Sequence, residues 1–432
     1  DRKGRIWFTQ QIGNKIAMFD PIEAMRVDPA LAEAWRRKPA SKPKPTEVIA
    51  PATAAQARLE SPSNVPVSPV SFASFASFYA AEPERTPRVQ PAHGMHAAMR
   101  PRFASNSKKS GESIPEVGTL DFVVPTEGGG PGNDLVEDPD RWLWFNEIYG
   151  NRIGAFQMDR HEFREWEIPG EVNMPTGLVR TADGAVWSTL FRGNALARLD
   201  PKTGEVQKFK VPTDAALPAG ITQTETGEIW ITELGANKIA RFDRETSRFD
   251  EYDLPREGAS PLMILADHRG ALYVSATEEN GNFLARFHLA TKKWEAFDLP
   301  TENASPTGLL LDGDTLWVAE GGAGKLARFD VITAKWVEYA IPAEKAEPVK
   351  LAKDHRGRIW LTDGGGLGGV GGNRLAVFDP KTEKFELIAM KKGGAKPRGI
   401  TVASDGHVWF TQQNANLLSR IAILGEAPHG TH

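Results

Sequence analysis

An aromatic residue returns seven times along this chain at nearly one interval: Trp144, Trp187, Trp230, Tyr273, Trp317, Trp360 and Trp409. The steps are 43, 43, 43, 44, 43 and 49 residues. A period of this size marks a supersecondary unit that buries its apolar face only against its neighbours. One unit, Gly227 to Pro255, reads GEIWITELGANKIARFDRETSRFDEYDLP. Ile229 to Glu233 is apolar around Trp230, and Lys238 to Asp243 and Arg248 to Leu254 alternate. The turn sequences LGAN and RETS separate them, and Pro255 stops the last. A further strand, Gly220 to Thr224, lies upstream behind Pro218. Four antiparallel strands in this span make one propeller blade.

Other elements repeat in phase. The third strand recurs as NRIGAF from Asn151, NALARLD from Asn194, NKIARFD from Asn237, NFLARFH from Asn282, GKLARFD from Gly324 and NRLAVFD from Asn373. The outer strand recurs as FREWEIP, VQKFKVP, FDEYDLP, WEAFDLP and WVEYAIP. The expected fold is all-β: a seven-bladed β-propeller of four-stranded antiparallel blades over residues 118–425. A closed ring leaves no long exposed sheet edge. Leu120 to Pro125 reads as an outer strand with no inner strands before it, and the unit of Trp409 has no outer strand. Leu120 to Pro125 is therefore expected to complete the blade of Trp409.

Residues 1–20 match the segment from Asp405 and read as two strands of a partial blade, a remnant of a truncated upstream propeller or a stray duplicate. Residues 21–117 turn Ala-, Pro- and Ser-rich, too thin in apolar residues for a core, and read as a disordered linker. Within it, Ala30 to Arg37 allows a short helix and Lys38 to Lys44 a solvated basic stretch. Residues 426–432 are a tail. The partial motif at the start suggests a piece of a larger multidomain chain, compatible with a periplasmic or secreted location. The net charge of −4, with both signs spread along the repeats, offers no basic footprint for nucleic acid. No apolar run reaches membrane-spanning length. The absence of cysteine excludes disulfides and thiol chemistry. A monomeric ring is expected.

The repeated aromatics read as core between blades. The Arg of Ala-Arg-Phe (Arg241, Arg286, Arg328) reads as solvated or as a cap on the next blade. His268 and His355 fall in matching turns. The end of the second strand is more informative, because it carries Glu147, Leu190, Glu233, Ala276, Glu320, Asp363 and Gln412. It lies beside the start of the innermost strand, which carries Asn133, Thr176, Ala219, Leu262, Thr307, Val349 and Arg398. Both sets belong to one face around the central channel. Glu147, Glu233, Glu320 and Asp363 together form a candidate site for Mg²⁺ or Ca²⁺; alternatively each bonds loop N–H groups of its own blade. The candidate ligand face is Glu147, Thr176, Glu233, Thr307, Glu320, Val349, Asp363, Arg398 and Gln412. A glycine-rich insertion, Gly364 to Gly372, follows Asp363 on this face and reads as a lid, a ligand cradle or a floppy insertion.

The stretches PAGI from Pro218, GEIWITE from Gly227 and NKIARFD from Asn237 resemble the virginiamycin B lyase (streptogramin lyase) family, and the resemblance runs over residues 119–424. It implies a seven-bladed propeller whose N-terminal strand closes the last blade. It also implies a lyase that opens a cyclic depsipeptide by elimination at an ester, with a histidine base and Mg²⁺. The family's histidines follow the inner-strand proline of the sixth and seventh blades, where this chain has Val349 and Arg398. The family's acidic residue before the seventh-blade proline is Lys396 here, and the carboxylate ending the second strand of that blade is Gln412. A shift by one blade recovers Glu347 and Asp363 but no histidine. Three functions stay open: a lyase-like enzyme with altered chemistry, a metal-dependent lactonase-like hydrolase, or a non-catalytic propeller that binds a small molecule or a protein.

Overall fold

The computed structural model describes residues 119–170, 172–277, 282–365, 372–391 and 393–423, and the strands Ile6–Gln10 and Lys15–Phe19. Those two strands pair antiparallel, Ile6 opposite Phe19, as the sequence of residues 1–20 predicts. They belong to a separate compact unit. The Ala/Pro/Ser-rich segment, its helix and basic stretch, the C-terminal tail and most of the glycine-rich insertion lie outside the described residues.

The second unit contains seven four-stranded antiparallel sheets. The third blade has the strands Pro218–Gln223, Ile229–Glu233, Lys238–Asp243 and Arg248–Asp253, paired in that order from the inside out. The second strand of each blade is buried on both faces, whereas the outer strand alternates exposed and half-buried residues. That contrast follows from position: the middle strands touch neighbouring blades on both sides, and the outer strand meets water.

The ring closes as expected. Thr119–Val123 pairs with Leu417–Ala422, so the last sheet takes its outer strand from the other end of the domain. Asn416 secures the junction by donating from Nδ2 to the carbonyls of Val124 and Thr126 at 3.0 and 2.9 Å.

The repeated aromatics are core. Trp230 packs on Ile264, Leu272, Val274 and Phe287 of the next blade, and Trp144 on Leu178, Val186 and Ala197. Each such ring buries on the order of 150–250 Å². The asparagine before the third strand has a structural task. Asn194 and Asn237 sit at φ 47° and 59°, a region that Asn tolerates better than most residues. Each donates to a carbonyl of the following inter-blade loop (Thr213 O at 2.9 Å, Arg256 O at 2.8 Å) and accepts from a backbone N–H there.

Candidate ligand site at the channel mouth

In all seven blades the proline that opens the inner strand lies opposite the last residue of the second strand, as in Pro131 with Glu147, Pro218 with Glu233 and Pro397 with Gln412. In all seven the register then shifts immediately after the proline. Such a shift leaves residues unpaired and re-aims their side chains. Here it turns the residues after the proline towards the channel. Asn133, Thr176, Ala219, Leu262, Thr307, Val349 and Arg398 line one pocket at its mouth.

The shift also strands an inner-strand N–H, and a second-strand hydroxyl answers it. Gly220 N–H donates to Thr232 Oγ1 at 2.7 Å, and that hydroxyl donates to Leu262 O of the next blade at 3.0 Å. Thr411 does the same for Gly399 and Gly132, and Thr362 for Lys350 and Arg398. The sequence reading passed over these threonines, although one precedes the strand-ending residue in each of those blades. The glycine of Pro-x-Gly has a related cause. A Cβ on Gly220 would lie 2.6 Å from Leu262 O, and one on Gly308 2.4 Å from Val349 O, so glycine lets adjacent inner strands approach.

Three blades carry a side chain at that glycine position: Asp134, Met263 and Lys350. They meet across the channel. Lys350 Nζ lies 2.6 Å from Asp134 Oδ1 and 3.5 Å from Met263 Sδ. Asp134 Oδ2 also accepts from Leu178 N–H at 2.9 Å. The mouth is two-sided. Ile148, Met174, Phe191, Ala219 and Leu234 form an apolar cluster with Leu217 and Leu262 beside it. The sixth and seventh blades contribute Lys350 and Arg398, with Lys396 directly before the seventh-blade proline. Burial, and then the Arg398 charge, lower the Lys396 pKa.

The carboxylates behave differently from the expected shared ion site. Among the described residues, no three His, Cys, Asp or Glu side chains gather around a common point. Glu147, Glu233 and Glu320 are each 0% exposed and are held inside their own blades. Each faces a second glutamate two strands further out: Glu165, Glu251 and Glu338. The outer glutamate clamps the loop from the preceding blade. Glu251 accepts from Thr213 N–H and Oγ1 at 3.0 and 2.8 Å and from Lys238 Nζ at 2.8 Å. Glu338 repeats this with Thr301 and Lys325, and Glu165 with Thr126 beside Arg152. The inner glutamates have no hydrogen-bond donor at either oxygen. Burial first, and then the facing carboxylate, push each of them up to about 8. These are proton-holding acid pairs in alternate blades, and a lysine or arginine already stands at each one.

The other two strand-end residues are satisfied locally. Asp363 Oδ2 pairs with Arg374 Nε at 2.8 Å, and Oδ1 accepts from Glu347 N–H and Gly372 N–H at 2.8 and 3.1 Å. Gln412 donates to Ser419 Oγ at 2.7 Å. The reading in which loop N–H groups satisfy the acid therefore describes Asp363 and not the three glutamates. Millimolar Mg²⁺ or Ca²⁺ should leave the melting temperature unchanged, because a cation bound only by the folded state would raise it. A metal-dependent rise that Glu233→Gln abolishes would restore the ion site.

The described histidines lie elsewhere. His288 pairs with Glu295 at 2.8 Å on the outer face, His161 packs on Phe122, and the His407 ring meets its own turn at Asp405 O. Among the described residues, no histidine lines the channel pocket.

Fold and mouth together define a seven-bladed β-propeller whose last blade is closed by Thr119–Val123. The chain belongs to the virginiamycin B lyase family, whose model matches residues 103–247 and 228–421. It is similar to the solved virginiamycin B lyase from Staphylococcus aureus, at 22% identity and TM-score 0.65 over 72% of this chain and 100% of that one. A streptogramin B lyase structure shares 26% identity at TM-score 0.64, over 72% of this chain and 99% of that one. Hydrazine synthase from Kuenenia stuttgartiensis shares the fold at 13% identity and TM-score 0.58, over 70% of this chain and 98% of that one. No curated protein sequence matches the chain.

Proposed function

We propose that this propeller binds a small molecule at the channel mouth and does not open streptogramins. One observation carries the reading: the mouth is lined by Val349 and Arg398 at the two positions where the family resemblance calls for histidine. An elimination base must reach its proton directly or through one water. The nearest ionisable groups at the mouth are instead Lys350, held by Asp134, and Arg398, whose Nε lies 3.2 Å from Gln413 Oε1. The apolar wall around Phe191 and the cationic wall of the sixth and seventh blades suit a ligand with one greasy and one polar side. A lactonase-like hydrolase needs a bound cation, and the separated carboxylates argue against it.

Quinupristin was solved with a catalytically inactive virginiamycin B lyase from S. aureus, 23% identical to this chain at TM-score 0.65. Incubated with the present protein and Mg²⁺, quinupristin should keep its intact mass. Catalytic appearance of the ring-opened product would overturn the proposal.

A further inference from the structure

Five of the seven blades set an arginine opposite the repeated aromatic; the sixth has Val377 there and the first has Ala155. In the third blade Glu228, Arg241 and Asp250 form a cross-strand triad on the outer part of the sheet. Arg241 reaches Glu228 at 2.8 Å and Asp250 at 2.7 Å. An arginine opposite the repeated aromatic occurs also as Arg198, Arg286, Arg328 and Arg420. In the first blade the triad reads Trp142, Ala155 and Arg164, with Ala155 opposite Trp144 and Arg164 opposite Ala155. The cation has moved to the outer strand, and the centre of the row is a small, fully buried alanine.

A cleft of about 230 Å³ opens there, between the first and second blades on the face away from the channel mouth. Two guanidinium groups in it lack full partners. Arg164 lies over the Trp142 ring at 4.6 Å and has no carboxylate within ion-pair distance among the described residues. Arg180 enters from the second blade, and its buried Nε has no hydrogen-bond acceptor. Its carboxylate neighbour, Asp138 Oδ2, is 3.5 Å away. Asp138 is already engaged by Asp140 N–H, Trp142 N–H and Trp144 Nε1–H. A buried unpaired donor is uncommon and calls for an acceptor. Trp142 and Trp166, both half-buried, flank these cations, and Trp166 is stacked at 5.3 Å on the buried Trp144.

We propose that this cleft is a binding site for a small aromatic carboxylate. The carboxylate would accept from Arg164 and from Arg180, charge-assisted bonds of the stronger kind, and the ring would lie on Trp142. The cleft is smaller than pockets for drug-sized ligands, so a ligand of one or two rings fits. The site is independent of the channel mouth.

The test is calorimetric titration of the full chain with 2-naphthoate and with its neutral counterpart 2-naphthamide. Naphthoate should bind at least about tenfold more tightly than the amide, because only the acid makes the charged contacts. Arg164→Gln should erase that preference. Arg180→Gln, which removes the second guanidinium of the cleft, should weaken naphthoate binding by about tenfold or more. The proposal is overturned if acid and amide bind equally, if Arg180→Gln binds as the parent does, or if naphthoate does not bind at about 10 mM, the range of very weak association. Melting curves of both variants matching the parent tie any loss to the cleft.

Discussion

Raising the pH from 5 to 9 will destabilise this propeller, and the triple variant Glu147→Gln, Glu233→Gln, Glu320→Gln will lose most of that dependence. The three carboxyls are held up to about 8 against an ordinary 4.5, by burial and then by the facing glutamate. Between those values the folded chain keeps protons that the unfolded chain has released. Stability therefore falls as pH rises through this window and levels off above it. One pKa unit corresponds to about 1.4 kcal/mol, so the full shift bounds each site at roughly 5 kcal/mol. A buried group left unpaired costs about 1–3 kcal/mol in mutational experience, which is the more realistic range per site. Three such sites should lower the melting temperature by about 5 °C or more at alkaline pH. The outer partners act at the other end of the scale. Burial works against Glu251 and Glu338 as anions, but Lys238 and Thr213, or Lys325 and Thr301, hold their pKa values low. Their contribution is lost as pH falls below the usual carboxylate range. Maximal stability is expected near pH 5–6. A melting temperature that is flat from pH 5 to 9, or an unchanged slope in the triple variant, would show that the inner glutamates are ionised throughout.

Removal of residues 1–126 will make the protein aggregate, whereas removal of residues 1–117 will not. The first deletion takes away Thr119–Val123 and leaves Leu417–Ala422 as an open edge with unpaired N–H and C=O groups. It also uncovers Leu418 and Trp409, which pack on Phe122. The second deletion leaves the pairing of Thr119–Val123 with Leu417–Ala422 in place. Light scattering and thermal melts of the two truncations decide the matter; indistinguishable behaviour would mean that the closing strand contributes little.

The closure was legible because the two half-blades were complementary: an outer strand without inner ones at Leu120, and inner strands without an outer one after Trp409. The mouth was legible for a similar reason, since a repeat fixes phase and phase fixes the residues after each proline. The acid pairs were not. Face assignment in a strand rests on strict alternation, and the register shift after every proline breaks that alternation where the second strand ends. Nothing in GEIWITE says whether Glu233 turns to the channel or back across the sheet. The partner that settles it, Glu251, lies in the outer strand, and only the ladder Ala240 opposite Glu251 brings it near. Similarly, nothing in NRIGAF marks Ala155 as unusual; the ladders that set Trp144 and Arg164 opposite it do.

The register shift at the inner strands has a consequence for change over time. Where a strand is fully laddered, each residue is chosen by the sheet. After these prolines the ladder is interrupted, and the orphaned N–H is met by a threonine one strand away in several blades. The side chain at the mouth is therefore not needed to satisfy that N–H, although Thr176 and Thr307 there also bond a neighbouring strand. Asparagine, threonine, alanine, leucine, valine and arginine all occupy the same place in one molecule, within sheets of the same four-stranded pattern. Such a ring can exchange the chemistry of its opening one blade at a time while its scaffold stays as it is.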